Sequence, residues 1–336
     1  MSSGTEFVSI GHAIIDVLGH ADDAFLGDFS LVKGSMELIE GDRAVPLYEA
    51  MAASATRQNE TLLTQSGGSA ANTAVVAAML GTPTTFVGKV CDDALGHSYA
   101  DDLHHVGVRF ETAKGEAGST PTGRSLINVT PDAERTMATY LGAARTIRVP
   151  DIDKELFTHA KVTYVEGYLW DELNAHEALE LAIRYVKEGG QRFSFTLSDP
   201  FLVDRFRDEF LEMIPAKVDI LFANEHELMS LFETDDFDRA VNLIRPMCEF
   251  ATITRGKAGS IVIHGDETVA AAAYPVPKVI DTTGAGDAYA GGFLAGFCQE
   301  LPLLRCAELG NIAAGEVISR LGARPTVELK ALAAQP

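Results

Sequence analysis

Between residues 161 and 255 the chain repeats one alternation, and no other feature of the sequence limits the fold as strongly. Short runs rich in β-branched and aromatic residues, KVTYVEGY, RFSFTLS, VDILFAN and ATITR, are separated by the helical stretches HEALELAIRYVKEG, VDRFRDEFLEMI and DRAVNLIRPMC. Strands that alternate with helices line up in parallel, each helix crossing over one face of the sheet. The expected fold is therefore α/β, with a central, mainly parallel sheet covered on both faces. The opening EFVSIGHAIIDVLGHA reads as a short apolar strand running into a glycine turn. AANTAVVAAML reads as a small-residue helix stopped by Gly81 and Pro83, and TTFVGKV as the strand after it.

Two segments break the rhythm. Residues 28–45 and 108–144 read as short alternating strands with turn chemistry, and TPTGRSLINVTPDAERTMATYLG reads as a hairpin through Pro131 and Asp132. Strands inserted into an α/β chain predict a small sheet standing off the main body, built from segments of about 11–45 and 108–144. Such a sheet serves either as a lid over a site or as an oligomer contact. The rest of residues 1–336 is expected to form the α/β core of one domain.

The chain has 336 residues and a net charge of −21, from 48 acidic and 27 basic side chains. That balance argues against nucleic-acid binding, which needs a positive surface to displace counterions. An anionic ligand would need local help from backbone amides, a metal ion and a few placed cations. No stretch is long and apolar enough for a membrane span, and MSSGTEFVSIGHAII lacks the form of a secretory signal. Cys91, Cys248, Cys298 and Cys306 are scattered without a metal-type or framework spacing. The expectation is a cytoplasmic monomer or homodimer with reduced thiols, whose partners are small molecules rather than nucleic acid or membrane.

The segment that carries chemistry is VIDTTGAGDAYAGGFLAGF, residues 279–297. A strand end leads through Thr282, Thr283, Gly284, Ala285 and Gly286 into a helix. Small residues leave the backbone N–H groups open, and the helix N-terminus adds partial positive charge, so the turn is a candidate anion site for a phosphate. Asp287 follows in the first helical turn. A carboxylate beside a bound phosphate repels it, which is costly unless the carboxylate takes a proton from an attacking hydroxyl. The plainer alternative is a partner for the helix dipole.

DTTGAGDAYAGGF resembles the C-terminal signature of the ribokinase-like (PfkB) carbohydrate and nucleoside kinases, and SGGSAANTAVVAAMLG, residues 66–81, resembles their N-terminal signature. The order and separation of the two also fit, over essentially the whole chain. The resemblance implies a three-layer α/β/α core with a small β lid, ATP as phosphate donor and Mg2+ as cofactor, with a monovalent cation such as K+ as a further candidate. It implies that Asp287 is the base and that Gly284, Ala285 and Gly286 form the anion turn. Gly68, Asn72 and Asp16 match the positions that bind acceptor hydroxyls; an amide such as Asn72 offers both donor and acceptor to a diol. ANEHE resembles the family's NxxE motif, so Asn224 and Glu227 would order Mg2+ through its waters. The same pair reads equally well as a helix cap with Glu at its third position. In TITRGKAGS, Thr254, Arg255 and Gly256 resemble donor-phosphate contacts, with Thr283 beside them, and Asn311 lies in a helix resembling the wall of the nucleotide base.

Within the family the match is best to the adenosine kinases. LVKGSMELIE, PTGRSLINVTPDAERTMATYLGAA and FSFTLSDPFLVDRF resemble their two lid segments and central stretch. The resemblance implies phosphorylation of a purine nucleoside on its 5′-hydroxyl, and Met36, Leu38, Tyr168 and Phe201 fall where they could line a slot for the base. Thr283 stands where eukaryotic adenosine kinases carry Asn, which leaves ribose, 2-keto-3-deoxygluconate, inosine and guanosine as alternative acceptors. A catalytically silent nucleotide-binding protein is disfavoured by the intact Asp287 and its turn.

Overall fold

The computed structural model describes residues 4–132 and 134–334. In chain order its strands are β1 (Phe7–Ile10), β2 (Ile14–His20), β3 (Met36–Leu38), β4 (Leu63–Gly67), β5 (Thr84–Val87), β6 (Val108–Arg109) and β7 (Gly123–Val129). They continue with β8 (Arg135–Tyr140), β9 (Val162–Glu166), β10 (Arg192–Thr196), β11 (Ile220–Asn224), β12 (Phe250–Thr254), β13 (Ser260–His264) and β14 (Glu267–Ala271). Nine of them form one sheet in the order β14-β13-β12-β11-β10-β9-β1-β5-β6. Pairing is parallel from β6 through to β12, and only β13 and β14 run antiparallel at one edge.

The apolar runs are continuous because both faces of this sheet are buried. Phe7, Phe86, Tyr164, Phe222 and Phe250 point into one core, shared with the helices Ser69–Met79, Ala285–Cys298 and Leu303–Ile318. Their neighbours Val8, Val87, Val165, Leu221 and Ala251 point into the other, shared with Leu173–Glu188, Pro200–Lys217 and Phe237–Ile244. The helix Ala285–Cys298 lies against both of its neighbours at close range. A Cβ on Gly291 would sit 2.5 Å from the Thr73 carbonyl oxygen, and one on Gly292 2.5 Å from that of Leu309. The chain leaves β1 towards β5 on one side and later returns through β9 on the other, so β1 marks a reversal of strand order. In open α/β sheets the crevice at such a point, off the carboxyl ends of the strands, is where ligands bind.

The second sheet has the order β3-β8-β7-β2-β4. The hairpin through Pro131 and Asp132 is present, with β7 and β8 antiparallel and Val129 opposite Arg135. Four expectations about this region need correction. EFVSIGHAIIDVLGHA is two strands in different sheets, because the glycine turn at Gly11 hands the chain from β1 to β2. Leu63–Gly67 also joins the second sheet, and Val108–Arg109 pairs with β5 of the large one. Residues 41–45 are not strand; they open the helix Gly41–Arg57, which lies against β2, β7 and β8. Its buried Ala44, Leu47, Met51 and Ala55 follow helical spacing, and Leu47 and Met51 each contribute about 1.5–3 kcal/mol by leaving water.

That helix covers the face carrying Ile15, Val17, Leu126 and Ala138. The opposite face is set by register. Leu38, Thr139, Ser125, Asp16 and Gln65 lie side by side in one row, and Met36, Met137, Ile127, Leu18 and Leu63 in the next. Among the described residues no helix is long and apolar enough to cross a membrane.

Candidate active site

The helix Ala285–Cys298 begins in a turn that demands its glycine. Gly284 caps the helix at φ 75°, and a Cβ there would also lie 2.7 Å from Ala323. The Asp281 carboxylate braces the turn by accepting from the Thr283 amide at 3.0 Å and the Gly322 amide at 3.1 Å. The same carboxylate receives Arg135 Nη1 at 2.7 Å, which ties β8 of the second sheet to the turn. A Cβ on Gly286 would meet open space, so the first-turn amides face an unobstructed region.

Asp287 is held by two donors from the N-terminal signature. Ser69 Oγ donates to Oδ1 at 2.6 Å and Asn72 Nδ2 donates to Oδ2 at 3.0 Å. Burial pushes its carboxyl up to about 6, against the pull of those two hydrogen bonds and of Arg324, with Glu166 adding to the rise. The carboxyl is therefore oriented at both oxygens and raised towards the range in which a group that accepts a proton works at neutral pH.

Gly68 takes φ 95°, and a Cβ would run to 2.1 Å from the His12 carbonyl oxygen, so backbone packing alone requires glycine there. Glu166, fully buried at the end of β9, fixes this corner by accepting from the His12 amide at 2.8 Å and the Ala70 amide at 2.7 Å. Asp16 lies on the face of the second sheet turned away from the helix Gly41–Arg57, where burial raises its carboxyl to about 6 against the pull of Arg324 and Arg135. Gly67 on β4 leaves it room, since a Cβ there would come within 2.9 Å of Oδ2.

The cap reading of ANEHE is realised in full. Asn224 Oδ1 accepts from the Glu227 amide at 2.9 Å, and Glu227 Oε2 accepts from the Asn224 amide at 2.9 Å. Asn224 Nδ2 also donates to Glu227 Oε1 at 2.6 Å. Glu227 is buried, and desolvation raises its carboxyl to about 7. Among the described residues no group of three or more His, Cys, Asp or Glu side chains could hold a metal ion. A buried carboxylate that reaches the cavity as part of a cap nevertheless suits Mg2+, a hard ion that keeps several waters and takes its other ligands from phosphates. Arg255 donates to Glu225 at 3.2 Å and lies over the Phe237 ring, 4.1 Å from its centroid. Asn311 donates its amide to Ser260 Oγ and to the carbonyls of Ala271 and Ala272 at 3.0–3.2 Å, joining the last helices to the sheet edge.

One cavity of about 680 Å3 gathers most of these groups: Tyr168, Asn224, Glu227, Thr254, Arg255, Gly256, Thr283, Gly284, Ala285, Gly286, Asp287 and Asn311. Met36, Leu38 and Phe201 do not line it. They are 55%, 58% and 65% exposed, because β3 is the edge of the second sheet and Phe201 opens the helix Pro200–Lys217. Met36 and Leu38 do share the face of Asp16. Sequence reasoning passed over Ser69, Glu166 and Arg324. Ser69 lay inside the signature, whereas Arg324 stands in a loop whose sequence, LGARPT, gives no sign of the contacts it makes.

A match to the family described as pfkB family carbohydrate kinase spans residues 35–330. The chain is 43% identical to the adenosine kinase of Sinorhizobium meliloti, over 98% of this chain and 99% of that one, with a TM-score of 0.87. It is 41% identical to a probable sugar kinase from Rhizobium etli, over 98% of both chains, with a TM-score of 0.88. Adenosine kinase 2 of Arabidopsis thaliana is 27% identical over 94% of each chain. With two signatures that converge on one carboxylate at a helix N-terminus and a fold that matches at this level, the chain belongs to the pfkB family of carbohydrate kinases.

Proposed function

We propose that this chain transfers the γ-phosphate of ATP to the 5′-hydroxyl of a purine nucleoside, adenosine first, giving AMP and ADP. The transfer itself rests on Asp287. Its carboxylate accepts the proton of the attacking hydroxyl while the amides of Gly284, Ala285 and Gly286 meet the charge on the transferring phosphoryl group. Thr254, Arg255, Gly256 and Thr283 bind the donor, and Asn311 borders the base pocket. Asn224 and Glu227 hold Mg2+ through its waters. A Mg2+ ion held there would supply neutralisation of the donor's phosphate charge.

The observation that favours a nucleoside over a free sugar is the face of the second sheet that carries Asp16. One row is polar apart from Leu38 at its edge, with Asp16, Gln65, Ser125 and Thr139, and the next is apolar, with Met36, Met137, Ile127, Leu18 and Leu63. A ribose against the first row places a purine against the second, and a pentose alone has no use for the second. Asp16, Gly68 and Asn72 grip the ribose, and Tyr168, Leu38 and Phe201 approach the base as the second sheet closes as a lid. The 43% identity to the Sinorhizobium meliloti adenosine kinase supports this reading, while the 41% identity to a probable sugar kinase supports the runner-up, a ribose or 2-keto-3-deoxygluconate kinase.

Thermal unfolding with each candidate acceptor separates them. At 100 times its dissociation constant a ligand adds about 2.7 kcal/mol, and a weak one adds almost nothing. Adenosine is expected to raise Tm well above ribose, inosine or guanosine at equal concentration, with ADP formation following the same order. Phe201→Ala should leave the apo Tm unchanged and weaken adenosine binding by ~1–3 kcal/mol. A shift with ribose or the keto-sugar and none with adenosine transfers the assignment to the sugar kinase.

A further inference from the structure

Arg324 comes from the loop after the last long helix, yet only 6% of it is exposed. Its Nε donates to Asn72 Oδ1 at 2.9 Å, and its Nη1 donates to Ser66 Oγ and, at 2.9 Å, to Asp102 Oδ2. Asn72 then donates from Nδ2 to Asp287 at 3.0 Å. An amide side chain can turn over and exchange its oxygen and nitrogen. A guanidinium donor fixed against Oδ1 removes that freedom and leaves the NH2 facing the carboxylate. Asp102 and Ser66 in turn hold the guanidinium, so four residues from separate parts of the chain form one line: Asp102, Arg324, Asn72, Asp287.

We infer that Arg324 is a positioning residue of this kinase, acting through the Asn72 amide to orient the carboxylate of Asp287. The inference rests on the reading of Asp287 as the base. The groups whose charge bears on Asp287 are Glu166 at the end of β9, which opposes ionisation, and Arg324, which favours it; Ser69 and Asn72 bond to it from the helix Ser69–Met79. The rings of Tyr164 and Tyr168 also lie within its field. Arg324 is thus the cation that offsets Glu166. Burying a guanidinium is expensive, and three acceptors with one proton-transfer group at the end of the line give that burial a use beyond packing.

The test measures kcat against pH with saturating ATP, Mg2+ and the acceptor that the panel selects. Arg324→Met is expected to lower kcat by roughly 10–100-fold, the usual effect of removing a partner that orients a reacting group. It should also move the acid limb of the profile to higher pH. Arg324→Lys keeps the charge without the fork, so kcat falls while the limb stays near the parent's. In an Asn72→Ala background the further loss on adding Arg324→Met should shrink to under about 3-fold, since contacting residues that act in one line are not additive. An undiminished loss in that background, or an unmoved limb in a folded Arg324→Met protein, overturns the inference. If Arg324→Met does not fold, full kcat in Arg324→Lys overturns it alone. Asp287→Asn, measured alongside, keeps the two questions apart: its retained activity removes the base, whatever Arg324 does.

Discussion

Replacing Asp287 with Asn tests the base and its environment at once, because the two readouts move in opposite directions. The amide can keep both hydrogen bonds of the carboxylate. Turned with its oxygen towards Asn72 Nδ2, it offers its NH2 to Ser69 Oγ, whose hydroxyl rotates to accept. What it cannot do is take a proton from the acceptor, so kcat should fall by roughly 10²–10⁴-fold. The stability consequence follows from linkage. The carboxyl titrates near 3.8 when unfolded and near 6 in the fold, so folding takes up a proton between those values. The parent therefore loses stability as pH rises through that window and stays level above it. Two units at 1.36 kcal/mol each set an upper bound of about 3 kcal/mol. The variant has no such group, so its stability relative to the parent should climb between about pH 4 and 6 and reach a plateau by pH 7. Urea unfolding of both proteins at pH 4, 5, 6 and 8 reads the difference, and other titrating groups cancel in the subtraction. Coupled detection of ADP reads kcat. Turnover within a few-fold of the parent refutes the base, and a variant-minus-parent stability that is flat across pH 4–8 refutes the desolvated carboxylate.

Two further outcomes are expected. Glu227→Gln should shift the Mg2+ concentration needed for activity upward more than it changes acceptor KM, and it should cost about 0.5–2 kcal/mol of stability, because Gln has one acceptor oxygen for the two donors, the Asn224 amide and Nδ2, that the carboxylate satisfies; a Mg2+ titration that overlays the parent's removes Glu227 from the metal's water shell. Gly286→Val should fold normally, since its Cβ meets open space, but raise the KM for ATP by crowding the anion turn, whereas an unchanged KM in the folded variant places the phosphate elsewhere.

The parts of this protein legible in the sequence are those whose cause is local. Continuous β-branched runs at 161–168, 192–198, 218–224 and 251–255 are strands because the intervening segments can only be crossover helices, and four neighbouring strands of the large sheet appear at those places. The turn before Asp287 was readable because a left-handed residue and open amides need glycine at a fixed offset from the helix start. The helix Gly41–Arg57 was harder to see, since its Gly41 and Pro46 weaken the helical signal and only the second sheet beneath it gives its apolar stripe a partner.

The sequence by itself determined the layer architecture, the glycine turn at the helix start and the carboxylate beside it, because each depends on residues within a few positions of one another. Tertiary structure alone decided which groups that carboxylate meets. Ser69 and Asn72 lie more than two hundred residues earlier in the chain, and Arg324 binds Asn72 across a separation of 252. Strand register likewise decided that Asp16, Met36 and Leu38 share one face, since a slip of one residue would send each to the other side. Hydrogen bonds of about 3 Å between distant segments follow from how the layers close on one another, and no local pattern encodes that closure.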